Sequence, residues 1–252
     1  MTEHSKQLLQ EISDRLERLS AFADGGGMDP AVEMITRALG AGGIVQAFGT
    51  GHSQAFAMEI AGRAGGLIPT NNVALRDVVL LGNQEPSILS RASTLERDPA
   101  IVDELWETIR PHPEDVFVIA SNSGVNGSIV GIALLAKEHG HGVIAVTSLE
   151  HTARVTPKHP SGKRLSEIAD VVIDNLAPYG DTTLTLDGGI GVGAVSSMTA
   201  AFIAQLLTIG VSERIAASGS TPPIYLSANI PGGDDHNHQL EDRYGGRLRR
   251  HA

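Results

Sequence analysis

Short apolar runs alternate with helix-period segments along most of this chain. Residues 3–22 carry Leu8, Leu9, Ile12, Leu16 and Leu19 at helical spacing, which predicts an amphipathic helix. Residues 24–27 interrupt the pattern. Asp29-Pro30 then restarts a helix toward Leu39, with an acidic cap residue and proline in the first turn. Ile44 to Phe48 is a continuous apolar run, the pattern of a buried strand. A turn rich in glycine and hydroxyls follows, and then a helical stretch, in a unit spanning residues 44–66. The same order recurs from Val116 to Ala120, through the polar loop Ser121 to Gly127, into a helix from Ile129 to His139.

Val143 to Val146 and Val171 to Ile173 read as further strands, with a short helix over 164–169 between them. Residues 67–69 and 78–81 are short apolar runs separated by polar residues. Asp98-Pro99 opens a helix through Ile109, which carries the sole tryptophan, Trp106, and is ended by Pro111 and Pro113. Residues 149–163 form a long loop, of the kind that often carries function. Residues 175–183 read as loop and 188–193 as a glycine-rich stretch. The run 195–215 is a nearly uncharged helix, which predicts burial or a subunit interface. Ile224 to Leu226 reads as an extra strand in the tail.

Apolar strands alternating with helices predict an α/β fold with a parallel sheet covered on both faces. Ligands on such sheets bind beyond the strand C-termini, at the switch in strand order. Both hydroxyl-rich loops, Gly49-Thr50-Gly51-His52-Ser53 and Ser121-Asn122-Ser123-Gly124, lie at strand C-termini. The helix after each loop aims unsatisfied N–H groups and a positive dipole end at the same place, which suits a phosphate.

Composition narrows the possibilities. Hydrophobic residues make up 41% and charged residues 19% of the 252, an ordinary globular balance. The net charge of −10 argues against a nucleic-acid partner. An anionic ligand must therefore be held by local donors, not steered by the whole field. The basic group Arg247, Arg249 and Arg250 reads as a solvated tail. With no cysteine, thiol chemistry and cysteine-bound metals are excluded. No leader-like apolar core opens the chain, and no run approaches a membrane span, so a cytoplasmic location is expected by elimination.

The two loops resemble the phosphate-binding loops of SIS (sugar isomerase) domains. Glu59-Ile60-Ala61-Gly62-Arg63 resembles a segment of phosphoheptose isomerases, and His159 to Leu165 with the tail Gly232 to Asn237 is similar to a subfamily of stand-alone bacterial SIS proteins. The likeness spans most of residues 3–246. It implies a flavodoxin-like three-layer sandwich with a five-stranded parallel sheet, N-terminal helices and a C-terminal extension. It also implies a homodimer with sites built partly across the subunit boundary. Phosphate contacts are implied from Ser53, Ser121, Ser123 and Asn126, with Thr50, Gly51, His52, Asn122 and Gly124 completing the cradle. On this reading residues 1–43 form a helical dimerisation segment, 44–220 the SIS domain, and 221–252 an extension that contributes to the site.

By position Glu59 matches the catalytic glutamate of phosphoheptose isomerases and of N-acetylmuramic acid 6-phosphate etherases. Those isomerases also carry a histidine in the late helix. Residues 196–207 hold none, so His236 in the tail is taken as the second acid/base. Plainer readings stand beside these. Glu59 could pair with Arg63 four residues on, the serines could be helix caps, and His236 and His238 beside Asp234 could bind zinc. His151 and His159 read as loop or interface residues first, with contact to substrate as the lesser alternative. The expectation is a phosphosugar lyase or dehydratase that needs neither metal nor cofactor. Glu59 would take the C2 proton of an amino-sugar 6-phosphate such as N-acetylglucosamine 6-phosphate, and the C3 oxygen would leave. An aldose–ketose isomerase, or a sugar-phosphate sensor without turnover, is the alternative.

Overall fold

β-branched runs too apolar to face water on either side set the centre of the fold. The computed structural model describes residues 3–249, apart from the side chains of residues 92 and 93. Helices α1 (Glu3–Asp24) and α2 (Asp29–Gly40) precede strand β1 (Val45–Gly49). Then come α3 (Gln54–Ile60), β2 (Thr70–Val73), α4 (Asp77–Leu80), α5 (Val102–Ile109) and β3 (Val116–Ala120). The second half runs α6 (Gly127–Glu138), β4 (Gly142–Thr147), α7 (Leu149–Arg154) and β5 (Val171–Asp174). A hairpin, β6 (Thr182–Leu186) and β7 (Ile190–Ala194), leads to α8 (Ser196–Ala217) and α9 (Gly233–Glu241).

The main sheet has five strands in the order β2-β1-β3-β4-β5, and every pairing is parallel. Every residue of β1 and β3 is buried, as the unbroken apolar runs require. One face packs Val45, Ala47, Val116 and Val118 against α2, α3 and α8. The other packs Phe48, Phe117 and Ile119 against α5 and α6. The order reverses between β1 and β3, so the loops after these two strands flank the switch point.

Several elements depart from the pattern-based expectation. Strand β2 is Thr70–Val73, not the apolar runs beside it. It is an edge strand in which Thr70 and Asn71 find partners while Asn72 Oδ1 is buried without one among the described residues. Asn71 Nδ2 donates to Gln46 Oε1 at 3.3 Å and to the Arg247 carbonyl at 3.1 Å. Helix α3 ends at Ile60 because Ala61 turns extended and Gly62 takes φ 75°. The loop over 149–163 contains α7, capped by Ser148 Oγ accepting from the His151 N–H. Residues 182–194 form a hairpin, and the 233–241 stretch is helical. Ile224 makes only an isolated bridge with Leu67. By length and composition alone α8 is long and apolar enough to cross a membrane, contrary to the expectation that no run is. It packs against α1, α2 and α3, with Ile203, Ala204, Leu207 and Val211 buried.

Arg247 and Arg249 are not the solvated group expected of them. Residues 223–225 pair with residues 65–68, the segment entering β2. Arg247 then reaches the buried Asp115 at 2.6 Å, and Arg249 lies 3.7 Å from Asp77. A guanidinium beside a fully buried carboxylate ties the tail to the N-terminal ends of the strands. Arg250, the third member of the basic group, lies outside the described residues.

Candidate functional site

The first loop is shaped by what Gly49 lacks. A Cβ there would sit 2.3 Å from the Ser53 carbonyl oxygen, so only glycine lets the chain fold back on the end of β1. Thr50 stays extended, and its carbonyl accepts the Ser53 N–H at 3.1 Å. The second loop turns at Gly124, whose φ of +64° favours glycine. Its N–H donates to Ser121 Oγ at 3.1 Å, while its own carbonyl accepts from Leu165 N.

These turns face one another across a single cavity of about 330 Å³, within the range of small-molecule sites. Thr50, Gly51, His52 and Ser53 line one side, and Ser121, Asn122, Ser123 and Asn126 another. Gly124 does not line it and acts on the turn instead. Ser53 and Asn126 stand at the N-caps of α3 and α6, yet neither side chain makes a capping hydrogen bond. Capping, the plain reading for Ser53, therefore does not occupy its hydroxyl. With the amino end of the twelve-residue α6, these groups form a neutral set of donors suited to an anion. That matters in a chain carrying −10 overall.

The remaining walls were not singled out from sequence as site residues. Glu96 lines the cavity, and its carbonyl accepts from the N–H and Oγ of Ser128 in the first turn of α6. His151, Asp181, Ser196 and Ser197 complete the lining with Ala194. The Asp181 carboxylate accepts from Val195 N, Ser196 N and Ser196 Oγ, at 3.2, 2.8 and 2.6 Å, which caps α8 and closes the hairpin base. His151 Nδ1 accepts the Gly180 N–H at 2.9 Å. Burial pushes the His151 imidazole pKa below its ordinary value, although Asp181 and Glu150 oppose the shift. The only early signal for His151 was its position in a long loop after a strand. Glu96, Asp181 and the serines of α8 come together only through tertiary packing.

Glu59 does not line the cavity. It sits half-buried in the last turn of α3, and Arg63 and Gln205 both donate to its Oε1, the latter at 2.6 Å. The i,i+4 ion pair weighed as its plain role is present. His236 is half-buried on α9, with Nε2 3.0 Å from the Ile224 carbonyl. Within one subunit it belongs to the tail packed at the strands' N-terminal ends, opposite the cavity. The extension expected to contribute to the site packs there too. His159 bonds to Ser161 and lies outside the cavity.

A second pocket of about 370 Å³ lies at that opposite end, lined in part by Arg110, Arg247 and Arg249. Two of its three arginines already face the carboxylates of Asp115 and Asp77, so it has less unspent positive charge than its lining suggests.

Comparison with known proteins agrees with this architecture. A family profile for the SIS domain matches residues 7–148. A UPF0309 protein of Listeria monocytogenes is 34% identical over 240 residues, covering 95% of each chain. A solved Bacteroides fragilis protein involved in capsule formation superposes with a TM-score of 0.53 at 17% identity, over 85% of this chain and 91% of that one. A phosphoheptose isomerase from Francisella tularensis gives 0.51 at 15% identity, over 83% and 100%. At these identities the two structural likenesses speak for the fold.

Proposed function

Because this chain belongs to the SIS-domain family, we propose that it is a phosphosugar-processing enzyme whose cavity at the switch point binds a sugar phosphate. One observation carries this reading: two serine-bearing loops, from different strands, converge on one cavity that is also lined by two carboxylates and two imidazoles. The phosphate sits among Ser53, Ser121, Ser123 and Asn126 against the amino end of α6. The sugar extends toward Glu96 and His151.

The chemistry that fits is proton removal beside a carbonyl. In an open-chain aldose the C2 hydrogen is acidified by the C1 aldehyde. Glu96 takes it as general base, ahead of Glu59, because Glu96 faces the cavity and Glu59 is held by Arg63 and Gln205. The resulting enolate then expels the C3 hydroxyl, which takes up the proton now on Glu96 and leaves as water, and a C2=C3 double bond remains. An N-acetyl group on C2 favours this elimination over isomerisation, so N-acetylglucosamine 6-phosphate is the first substrate to test. Returning the proton to C1 instead would make the enzyme an isomerase.

Thermal shift tests the binding step. N-acetylglucosamine 6-phosphate raises the melting temperature, and unphosphorylated N-acetylglucosamine does not. Replacing both Ser53 and Ser123 with alanine removes most of that rise, since each charge-assisted hydrogen bond is worth about 1.5–3 kcal/mol. Equal shifts with and without the phosphate would sink the reading.

The protein is further proposed to act as a cytoplasmic homodimer joined through the N-terminal helices. Along α1 only Leu19 is buried, while Leu9 and Phe22 are exposed. On α8 the side chain of Ile209 is likewise exposed. Light scattering should give twice the chain mass, and Leu9→Glu should lower it; a wild-type monomer rules the dimer out.

A further inference from the structure

His151 is the one imidazole of the cavity whose tautomer the fold dictates. A backbone N–H can only donate, so the 2.9 Å bond from Gly180 makes Nδ1 an acceptor. The ring's proton therefore resides on Nε2, and this is the donor left to the cavity that His151 lines. Three further contacts hold the ring and its helix. The His151 backbone N–H donates to Ser148 Oγ at 2.9 Å. The imidazole stacks on Tyr179 with centroids 5.3 Å apart and planes 28° from parallel. Arg154 lies over the same tyrosine ring at 5.2 Å. The Tyr179 N–H in turn donates to Glu150 at 3.3 Å, so the residue before the Gly180 donor is anchored to α7, while Asp181 after it is held at the start of α8.

Resting on the sugar-phosphate reading above, we propose that His151 is a catalytic residue that donates Nε2–H, as a neutral imidazole, to the substrate oxygen that gains charge when the C2 proton leaves. A neutral donor suits this task. It strengthens its hydrogen bond as the oxyanion forms, without first requiring a proton from solvent. An imidazolium would have to surrender the Gly180 contact, because both ring nitrogens would then donate. The charged neighbours pull in opposite directions. Glu150 and Asp181 favour the cation, but Glu150 is shared with Arg154 and Tyr179, and Asp181 is spent on Ser196 and Val195. Burial outweighs both acids and lowers the pKa of the ring, in the direction that favours the neutral form. Glu96 and His52 face the same cavity. Glu96 accepts the C2 proton, and His52 sits in the first loop beside Ser53, on the phosphate side of the reading.

Nitrogen-15 NMR of the full chain with labelled histidine tests the tautomer directly. His151 should show a protonated Nε2 and an unprotonated Nδ1 from pH 8 down to 6.5. An Nδ1–H tautomer, or a cation at pH 7, would overturn the proposal. Kinetics test the role. His151→Ala should lower turnover of N-acetylglucosamine 6-phosphate by roughly 100-fold, as loss of one oxyanion donor does, with binding of the sugar phosphate retained. His151→Gln, which keeps a neutral amide donor, should recover part of that loss. Turnover unchanged in both variants would also overturn it. A wild-type protein that turns over no sugar phosphate overturns the site reading itself; the two failures are told apart because the first leaves wild-type turnover intact.

Discussion

Asp115→Ala should destabilise the fold by about 3–5 kcal/mol, the range for breaking a buried charge pair by removing one partner. The Asp115 side chain is fully buried and collects four donors. Oδ1 accepts from Ile44 N at 2.8 Å and from Arg247 at 2.6 Å. Oδ2 accepts from Gln46 Nε2 at 2.9 Å and from His112 N at 3.1 Å. These donors come from the entrance to β1, from β1 itself, from the turn before β3 and from the tail. Truncation removes the acceptor of all four in one step, and the buried Ile44 N–H and Gln46 amide have the least water to turn to. For a chain of this size the melting temperature should drop by roughly 6–20 °C. Asp115→Asn, which keeps one acceptor oxygen, should lose less. The freed tail should also be clipped faster by protease. A loss below about 1 kcal/mol in urea denaturation would show that the hub is not what holds the tail.

Glu96→Gln should cut turnover by about 10²–10⁴-fold, the usual range for a lost general base, while sugar-phosphate affinity stays within a few-fold. A large effect is expected because this carboxylate is assigned to the proton abstraction itself, and the backbone that carries it is anchored to α6. The Glu96 carbonyl accepts from Ser128 N at 3.2 Å and from Ser128 Oγ at 2.7 Å, in the first turn of the helix assigned to the phosphate. One residue on, the Arg97 carbonyl presses on α6 where a Cβ at Gly127 would meet it at 2.3 Å. Across the cavity, a Cβ on Gly51 would lie 3.1 Å from Glu96 Oε2. The proposed base and the proposed anion cradle thus share backbone contacts. Glu59→Gln is the matched comparison and should change turnover less, because that carboxylate is engaged by Arg63 and Gln205 outside the cavity. If Glu59→Gln abolishes turnover and Glu96→Gln does not, the assignment of the base is reversed.

The convergence of the two hydroxyl-bearing loops was legible in sequence because local rules shape each of them. An apolar run, a glycine bracket and a hydroxyl before a helix determine each loop with little help from the rest of the chain. The parallel sheet was legible for the same reason, except at β2. There Thr70, Asn71 and Asn72 form a strand because a neighbouring amide and the distant tail satisfy Asn71, a partnership that no window of sequence contains. The hairpin over 182–194 did carry a signal: alternating Thr182 to Leu186 and Ile190 to Ala194 around Asp187-Gly188-Gly189. Its glycines drew attention to loop chemistry instead. The acidic residues of the cavity wall were least legible. Glu96 follows a stretch without clear periodicity, and Asp181 takes φ 67° to reach the start of α8. The carboxylate that stood out, Glu59, did so through motif and helix context, and the fold gives it an ion pair with Arg63.

The most direct measurement is a crystal structure of the chain with N-acetylglucosamine 6-phosphate. The phosphorus should lie among Ser53, Ser123 and the amino end of α6, with C2 within reach of the Glu96 carboxylate. A phosphate bound instead among Arg110, Arg247 and Arg249, or a cavity left empty by the sugar, would contradict the proposed site.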